Sequence, residues 1–225
     1  MSWFVHFYTA SGLVMAFIAA TDVIESNYRG AFMWIAAALV VDATDGFLAR
    51  RVGVAEALPW FDGALLDNLV DFTTYVFVPA LFIWQALIVP PAWSMPVCAL
   101  ILLSSAYGFS RRDAKTSDNL FTGFPSYWNV VAFYLFVARW TPQVNAALLI
   151  VFALLVFIPI RYVYPSRTPH LRGVTVSLAI AWGVAMLCLL VQSPDVARPL
   201  FWASLAFPVY YAVLSVVLSI RRARA

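Results

Sequence analysis

Apolar residues along this chain come in long runs, separated by short polar or proline-containing breaks. The runs cover roughly 3–21, 30–49, 63–87, 93–111, 125–140, 143–161, 172–192 and 197–220. A helix crossing a bilayer core needs about 20 apolar residues, so the pattern predicts eight transmembrane helices, with the fifth the shortest. In lipid a helix satisfies its own backbone hydrogen bonds, and the fold class follows: an all-α integral membrane bundle. The breaks are Asp22 to Arg29, Arg50 to Asp62, Pro90-Pro91, Arg111 to Gly123, Thr141-Pro142, Pro165 to Arg172 and Ser193-Pro194-Asp195. None is long enough for a separate soluble domain, so residues 1–225 read as a single transmembrane domain. No convincing internal repeat is visible, which weighs against a transporter built from two related halves.

Composition agrees. Of 225 residues 64% are hydrophobic and 11% charged, where a soluble domain carries about 25% charge. That excludes a water-soluble globule, and the apolar excess is the reverse of what disorder requires. The net charge of +3 leaves no nucleic-acid footprint. Its distribution matters more, because loops on the cytoplasmic side are enriched in Lys and Arg. With the N-terminus inside, the inward breaks hold Arg50, Arg51, Arg111, Arg112, Lys115, Arg161, Arg167 and Arg172, joined by Arg221, Arg222 and Arg224 at the tail. That is eleven of the fourteen basic residues, leaving Arg29, Arg139 and Arg198 outside. Both termini are therefore expected in the cytoplasm. Cys98 and Cys188 sit in apolar runs and read as packing residues rather than a zinc site or disulfide framework. The first residues lack a basic n-region and a small-residue cleavage site, so the first run is expected to stay as a membrane helix.

Ionisable residues inside apolar spans are costly and mark candidate sites. Four aspartates qualify, in Val41-Asp42-Ala43-Thr44-Asp45-Gly46-Phe47-Leu48-Ala49-Arg50 and Gly63-Ala64-Leu65-Leu66-Asp67-Asn68-Leu69-Val70-Asp71. At about 3.6 residues per turn, Asp42, Asp45, Gly46 and Ala49 share one face of the second helix, and Gly63, Asp67 and Asp71 one face of the third. Antiparallel packing would bring four carboxylates into one pocket near the cytoplasmic surface. They cannot all stay ionised there without compensating positive charge. Carboxylate-only ligation selects hard ions such as Mg²⁺, Mn²⁺ or Ca²⁺, and four acids suit two ions about 4 Å apart, a pair that binds phosphates. Gly46, Ala49 and Gly63 leave room beside the acids for a large phosphorylated ligand, and Arg50 adds a cation. The plainer alternative is that the acids are polar glue between helices.

The pattern Asp42-x2-Asp45-Gly46-x2-Ala49-Arg50 followed by Gly63-x3-Asp67-x3-Asp71 resembles the signature of the CDP-alcohol phosphotransferases. Between Arg50 and Gly63 stand twelve residues, Arg51 through Asp62, where that family usually has eight. The longer gap, eight helices rather than six, and the segment Gly123-Phe124-Pro125-Ser126-Tyr127-Trp128-Asn129 resemble the bacterial branch whose acceptor is choline. The resemblance implies that Asp42, Asp45 and Asp67 are metal ligands, that Asp71 lies near the metals and acts as general base, and that two Mg²⁺ or Mn²⁺ ions are the cofactors. It implies CDP-diacylglycerol as the donor, its pyrophosphate at the metals, its cytidine against Gly46 and Ala49, and its acyl chains in the bilayer. A homodimer and a place in the bacterial cytoplasmic membrane, with the active site facing the cytoplasm, are implied as well.

A quaternary ammonium cannot donate hydrogen bonds through nitrogen and is commonly held over aromatic faces. The aromatic candidates beside the acids are Tyr75, Tyr107, Tyr127 and Trp128, each of which could instead be an interfacial anchor. Asn68 and Asn129 could orient the acceptor hydroxyl or tie helices together, and Arg111 and Arg112 could meet phosphate or lipid headgroups or serve as positive-inside anchors. His6 and His170 lack a visible partner in the sequence and are not assigned a role. Rival readings are the same chemistry on serine or another alcohol, and a cation transporter using the Asp cluster.

Overall fold

The computed structural model describes residues 2–111, 113, 120–163 and 172–223. They form α1 (Ser2–Ile24), α2 (Tyr28–Val52), the single turn α3 (Val54–Ala57), α4 (Gly63–Asp71), a π-helical turn (Phe72–Phe77), α5 (Val78–Gln85), α6 (Pro91–Ser110), α7 (Trp128–Ala138), α8 (Pro142–Leu155), α9 (Arg172–Gln192), α10 (Arg198–Ser204) and α11 (Ala206–Ala223). Two three-residue strands, β1 (Leu120–Thr122) and β2 (Arg161–Val163), pair antiparallel with Phe121 opposite Tyr162. This is an all-α membrane bundle. Among the described residues six helical stretches are long and apolar enough to span a bilayer: Ser2–Ile24, Tyr28–Val52, Gly63–Gln85, Pro91–Ser110, Arg172–Gln192 and Arg198–Ile220.

The remaining two predicted spans are α7 and α8, of 11 and 14 residues. At a rise of 1.5 Å per residue they reach about 17 and 21 Å, short of the hydrocarbon thickness of about 30 Å. Local chemistry stops them. Arg139, with φ of 54°, ends α7 in the left-handed region. Past α8, Pro159 cannot donate a helical hydrogen bond, and the chain beyond it pairs as β2 with β1.

The described residues fall into two compact units. One comprises those up to Leu102 together with Tyr127–Phe133, and the other Leu103–Ser126 with Tyr134 onward. In the first, α1 lays one stripe against α2 and α4: Val5, Thr9, Gly12, Ala16, Ala19 and Val23 are buried, while Phe4, Phe7 and Phe17 on the outward side are exposed. Lipid is as apolar as leucine, so close backbone approach through small residues, rather than hydrophobic exclusion, holds such helices together. At Gly12 the approach is so tight that a Cβ would lie 2.6 Å from Val70 Cγ1. Aromatic edges continue the packing, Phe32 against Phe82 and Phe133 at 4.8 and 5.1 Å between ring centroids. In the second unit part-buried polar contacts link helices: Trp182 Nε1 donates to the Tyr134 hydroxyl, which donates to Ser204 Oγ.

Candidate metal and phosphate site

α2 ends where the chain demands it. Gly53 takes the left-handed conformation (φ 65°, ψ 47°) and returns its N–H to the Ala49 carbonyl, a conformation glycine adopts without a Cβ clash. Arg50 and Arg51 in the last turn complement the negative end of the helix. α4 begins at Asp62, whose side chain accepts the Leu65 N–H at 2.9 Å, a regular N-cap. Two helix termini are thereby fixed on either side of the Arg51 to Asp62 segment, and the acidic faces of α2 and α4 are set by them.

Asp42, Asp67 and Asp71 come together. Each is half-buried, and one carboxylate oxygen from each lies within 4.8 Å of the others. Asp45 stands outside that group. It is 7% exposed, and one of its oxygens, Oδ2, accepts a hydrogen bond of 2.7 Å from Thr9 Oγ1 of α1. Residues three apart on a helix are offset by about 60° around its axis. That offset turns Asp45 into the seam with α1, while Asp42 turns toward the helix of Asp67 and Asp71. One position before Asp45, the Thr44 hydroxyl shares a 2.8 Å hydrogen bond with the Tyr8 hydroxyl, a second tie from α2 to α1.

Three oxygens of acidic side chains in one place suit a hard divalent cation, and the absence of thiol or imidazole from the group disfavours a soft one. The donor set therefore fits a hard divalent cation.

The π-helical turn after Asp71 has a sequence cause. Pro79 has no N–H to give the Tyr75 carbonyl and its ring crowds that carbonyl. Upstream, Val78 N–H bonds Thr73 O, five residues back, while the Thr73 and Thr74 hydroxyls bond the Leu69 and Val70 carbonyls. Such turns recur at functional sites. This one carries Tyr75, whose hydroxyl donates to Asp42 Oδ2 at 2.6 Å and whose ring lies 6.0 Å from that of Tyr127.

The other predicted residues are distributed as follows. Arg50 folds back along α2, its Nη1 3.2 Å from where a Cβ on Gly46 would stand, and the His6 ring fills the corresponding place at Gly63, 2.9 Å away. Ala49 and Asn68 are half-buried on their helices. Trp128 is wholly enclosed, and Asn129 is buried, its Oδ1 accepting the Val130 N–H while its Nδ2 has no hydrogen-bond partner among the described residues. In the second unit Tyr107 packs on Phe157 at 5.0 Å and lies 5.7 Å beneath the Arg111 guanidinium. Arg111 in turn makes a two-pronged ion pair with Asp113, at 2.8 and 2.6 Å, which holds the Asp113 carboxyl below its ordinary range. Arg112 lies outside the described residues.

α1 carries side chains that sequence reasoning left without a role. Thr9 reaches Asp45, and His6, against Phe61 at 4.3 Å, is buried with Nε2 lacking a hydrogen-bond partner among the described residues. The available signal was the cluster of His6, Tyr8, Thr9 and Ser11 in an otherwise apolar span.

Comparison with known proteins bears on what this arrangement does. No protein-family model matches the chain. It is 39% identical over 212 residues to a phosphatidylcholine synthase of Legionella pneumophila, covering 91% of this chain and 82% of the relative. Similar matches are phosphatidylcholine synthases of Pseudomonas aeruginosa, 37% identical over 193 residues with 86% and 81% covered, and of Rhizobium johnstonii, 34% over 216 residues with 95% and 87% covered.

Proposed function

The chain belongs to the phosphatidylcholine synthases, and on that premise we propose that it works as one catalytic domain in the bacterial cytoplasmic membrane, transferring phosphatidyl from CDP-diacylglycerol to choline with release of CMP. The observation that carries this reading is the meeting of Asp42, Asp67 and Asp71, from two helices, within 4.8 Å, in a chain so similar to enzymes of that name. Asp42, Asp45, Asp67 and Asp71 would hold two Mg²⁺ or Mn²⁺ ions. Bound there, divalent ions supply charge stabilisation to the phosphoryl oxygens and to the departing CMP.

The rest of the chemistry falls to this chain's own side chains. The Asp71 carboxylate takes the proton of the choline hydroxyl. The choline oxygen forms a bond to the phosphorus bearing diacylglycerol as the bond from that phosphorus to the CMP oxygen breaks, and CMP carries away the electron pair. No protein nucleophile is needed. Arg50, adjacent to Gly46, offers charge to the pyrophosphate. Tyr75 and Tyr127, with rings 6.0 Å apart and Tyr75 bonded to Asp42, are the aromatic groups best placed to face a quaternary ammonium beside the acids. The Lys and Arg bias supports both termini and the acidic cluster on the cytoplasmic side.

The names of the relatives support choline over serine as acceptor, and family membership leaves the transporter reading without support. The test is CMP release by purified protein in detergent, supplied with CDP-diacylglycerol and either choline or serine, with Mn²⁺ or with chelator. Turnover with choline that disappears on chelation is expected. Turnover with serine alone, or undiminished turnover after chelation, would sink the acceptor or the metal assignment respectively.

A further inference from the structure

Asp45 poses a physical problem. It is 7% exposed in a seam between apolar helices, and among the described residues it enters no ion pair. A charge taken out of water costs several kcal/mol unless it is compensated, and one hydroxyl donor offsets only a part of that. Thr9 is nonetheless held there firmly. It is itself buried, and Gly12, three residues along the same stripe, lets α1 close on α4 until Val70 leaves no room for a side chain. The Thr9 hydroxyl thus arrives at Asp45 Oδ2 from a rigidly seated helix, at 2.7 Å. Asp45 is also three positions from Asp42, whose carboxylate meets those of Asp67 and Asp71.

We propose that Thr9 is a positioning residue of the divalent-ion site: its hydroxyl fixes one oxygen of Asp45 so that the other is presented to the ions held by Asp42, Asp67 and Asp71. This rests on the metal reading given above. A ligating carboxylate is ordinarily steered by a hydrogen bond to its second oxygen, and removing that partner weakens metal affinity about 10–100-fold. The site then draws on three helices, with α1 contributing although it carries none of the four acids.

The experiment measures Mn²⁺ binding directly, from the free-ion electron paramagnetic resonance signal, on purified full-length protein in detergent without substrate. Wild type, Thr9→Val, Thr9→Ser, Asp45→Asn, Asp67→Asn and the double variant Thr9→Val/Asp45→Asn are compared. Thr9→Val should raise the Mn²⁺ Kd about 10–100-fold, Thr9→Ser should restore it to within about threefold, and the double variant should bind no more weakly than Asp45→Asn alone, as expected for two residues acting through one interaction. Wild-type affinity in Thr9→Val, equal weakening in Thr9→Ser, or additive losses in the double variant would each overturn the positioning role. If Thr9→Val does not purify, Thr9→Ala takes its place with the same expected weakening of about 10–100-fold, and wild-type Mn²⁺ affinity in Thr9→Ala would overturn the positioning role. Wild-type protein binding no more Mn²⁺ than Asp67→Asn would instead overturn the ion site itself, and this inference with it.

Discussion

The Tyr75 hydroxyl donates a hydrogen bond of 2.6 Å to Asp42 Oδ2 across 33 positions of the chain. The bond ties the π-helical turn to α2 and sets an aromatic ring beside a carboxylate of the acidic group. One side chain thereby serves two needs, and two substitutions separate them. Tyr75→Phe keeps the ring and loses the bond, so it should weaken Mn²⁺ affinity about 10-fold or more with a nearly unchanged KM for choline at saturating metal. Tyr75→Ala also loses the ring, and a lost cation–π contact of about 0.5–2 kcal/mol corresponds to a choline KM roughly 2- to 30-fold higher. Equal choline KM values in the two variants would remove Tyr75 from the acceptor pocket.

Asp71→Asn addresses the general base. A positioned base contributes about 10²–10⁴-fold, so turnover should fall by that factor while CDP-diacylglycerol still binds, as measured by equilibrium binding of labelled nucleotide lipid. Full activity would reassign Asp71 to a structural part. Both Asp67 and Asp71 contribute an oxygen to the group within 4.8 Å, so either variant should weaken Mn²⁺ binding. Asp67 has no assigned proton to carry, so saturating Mn²⁺ should restore turnover in Asp67→Asn and leave Asp71→Asn slow.

Trp128 separates packing from recognition. It is fully enclosed at the start of α7, and truncating a buried Trp to Ala costs about 3–5 kcal/mol. Trp128→Ala should therefore lower the unfolding temperature in detergent markedly. Trp128→Phe, smaller but still aromatic, should give a modest loss of stability and an unchanged choline KM. A choline KM raised 10-fold in Trp128→Phe, with unchanged stability, would bring Trp128 back as a choline contact.

Much of this architecture is visible in the order of residues because lipid makes its demands crudely. A span must be apolar for about 20 residues, and most described helices begin and end within a few positions of the apolar runs, α8 stopping six residues short of its run. The acid spacings likewise follow from helical periodicity alone. What escapes a one-dimensional reading is which neighbour each face meets. Asp42 and Asp45 share a face, yet the offset between them sends one toward α4 and the other to Thr9 of α1. The π-helical turn has its cause in Pro79 and the Thr73 and Thr74 hydroxyls, but a proline in an apolar run reads equally as a kink or a break. The pairing of β1 with β2 joins segments about forty residues apart through backbone groups, which carry no side-chain signature.

Gly63 presents the sharpest discrepancy between pattern and packing, and a test that decides between them. The motif reads its missing side chain as room for a ligand, whereas the His6 ring stands 2.9 Å from where a Cβ would be, a distance at which one of the two must move. Steric relief and ligand clearance predict different rescue. Gly63→Ala should lower the unfolding temperature, because overpacking a tight contact costs about 1–3 kcal/mol, and reduce activity. If the glycine exists to admit the imidazole, the double variant Gly63→Ala/His6→Ala should recover most of that stability and raise the CDP-diacylglycerol KM no more than His6→Ala alone. If it exists for the ligand, stability should return in the double variant while the CDP-diacylglycerol KM stays as high as in Gly63→Ala. Measuring both quantities on the three variants separates the two outcomes, since the first follows the His6 contact and the second follows the Cβ itself.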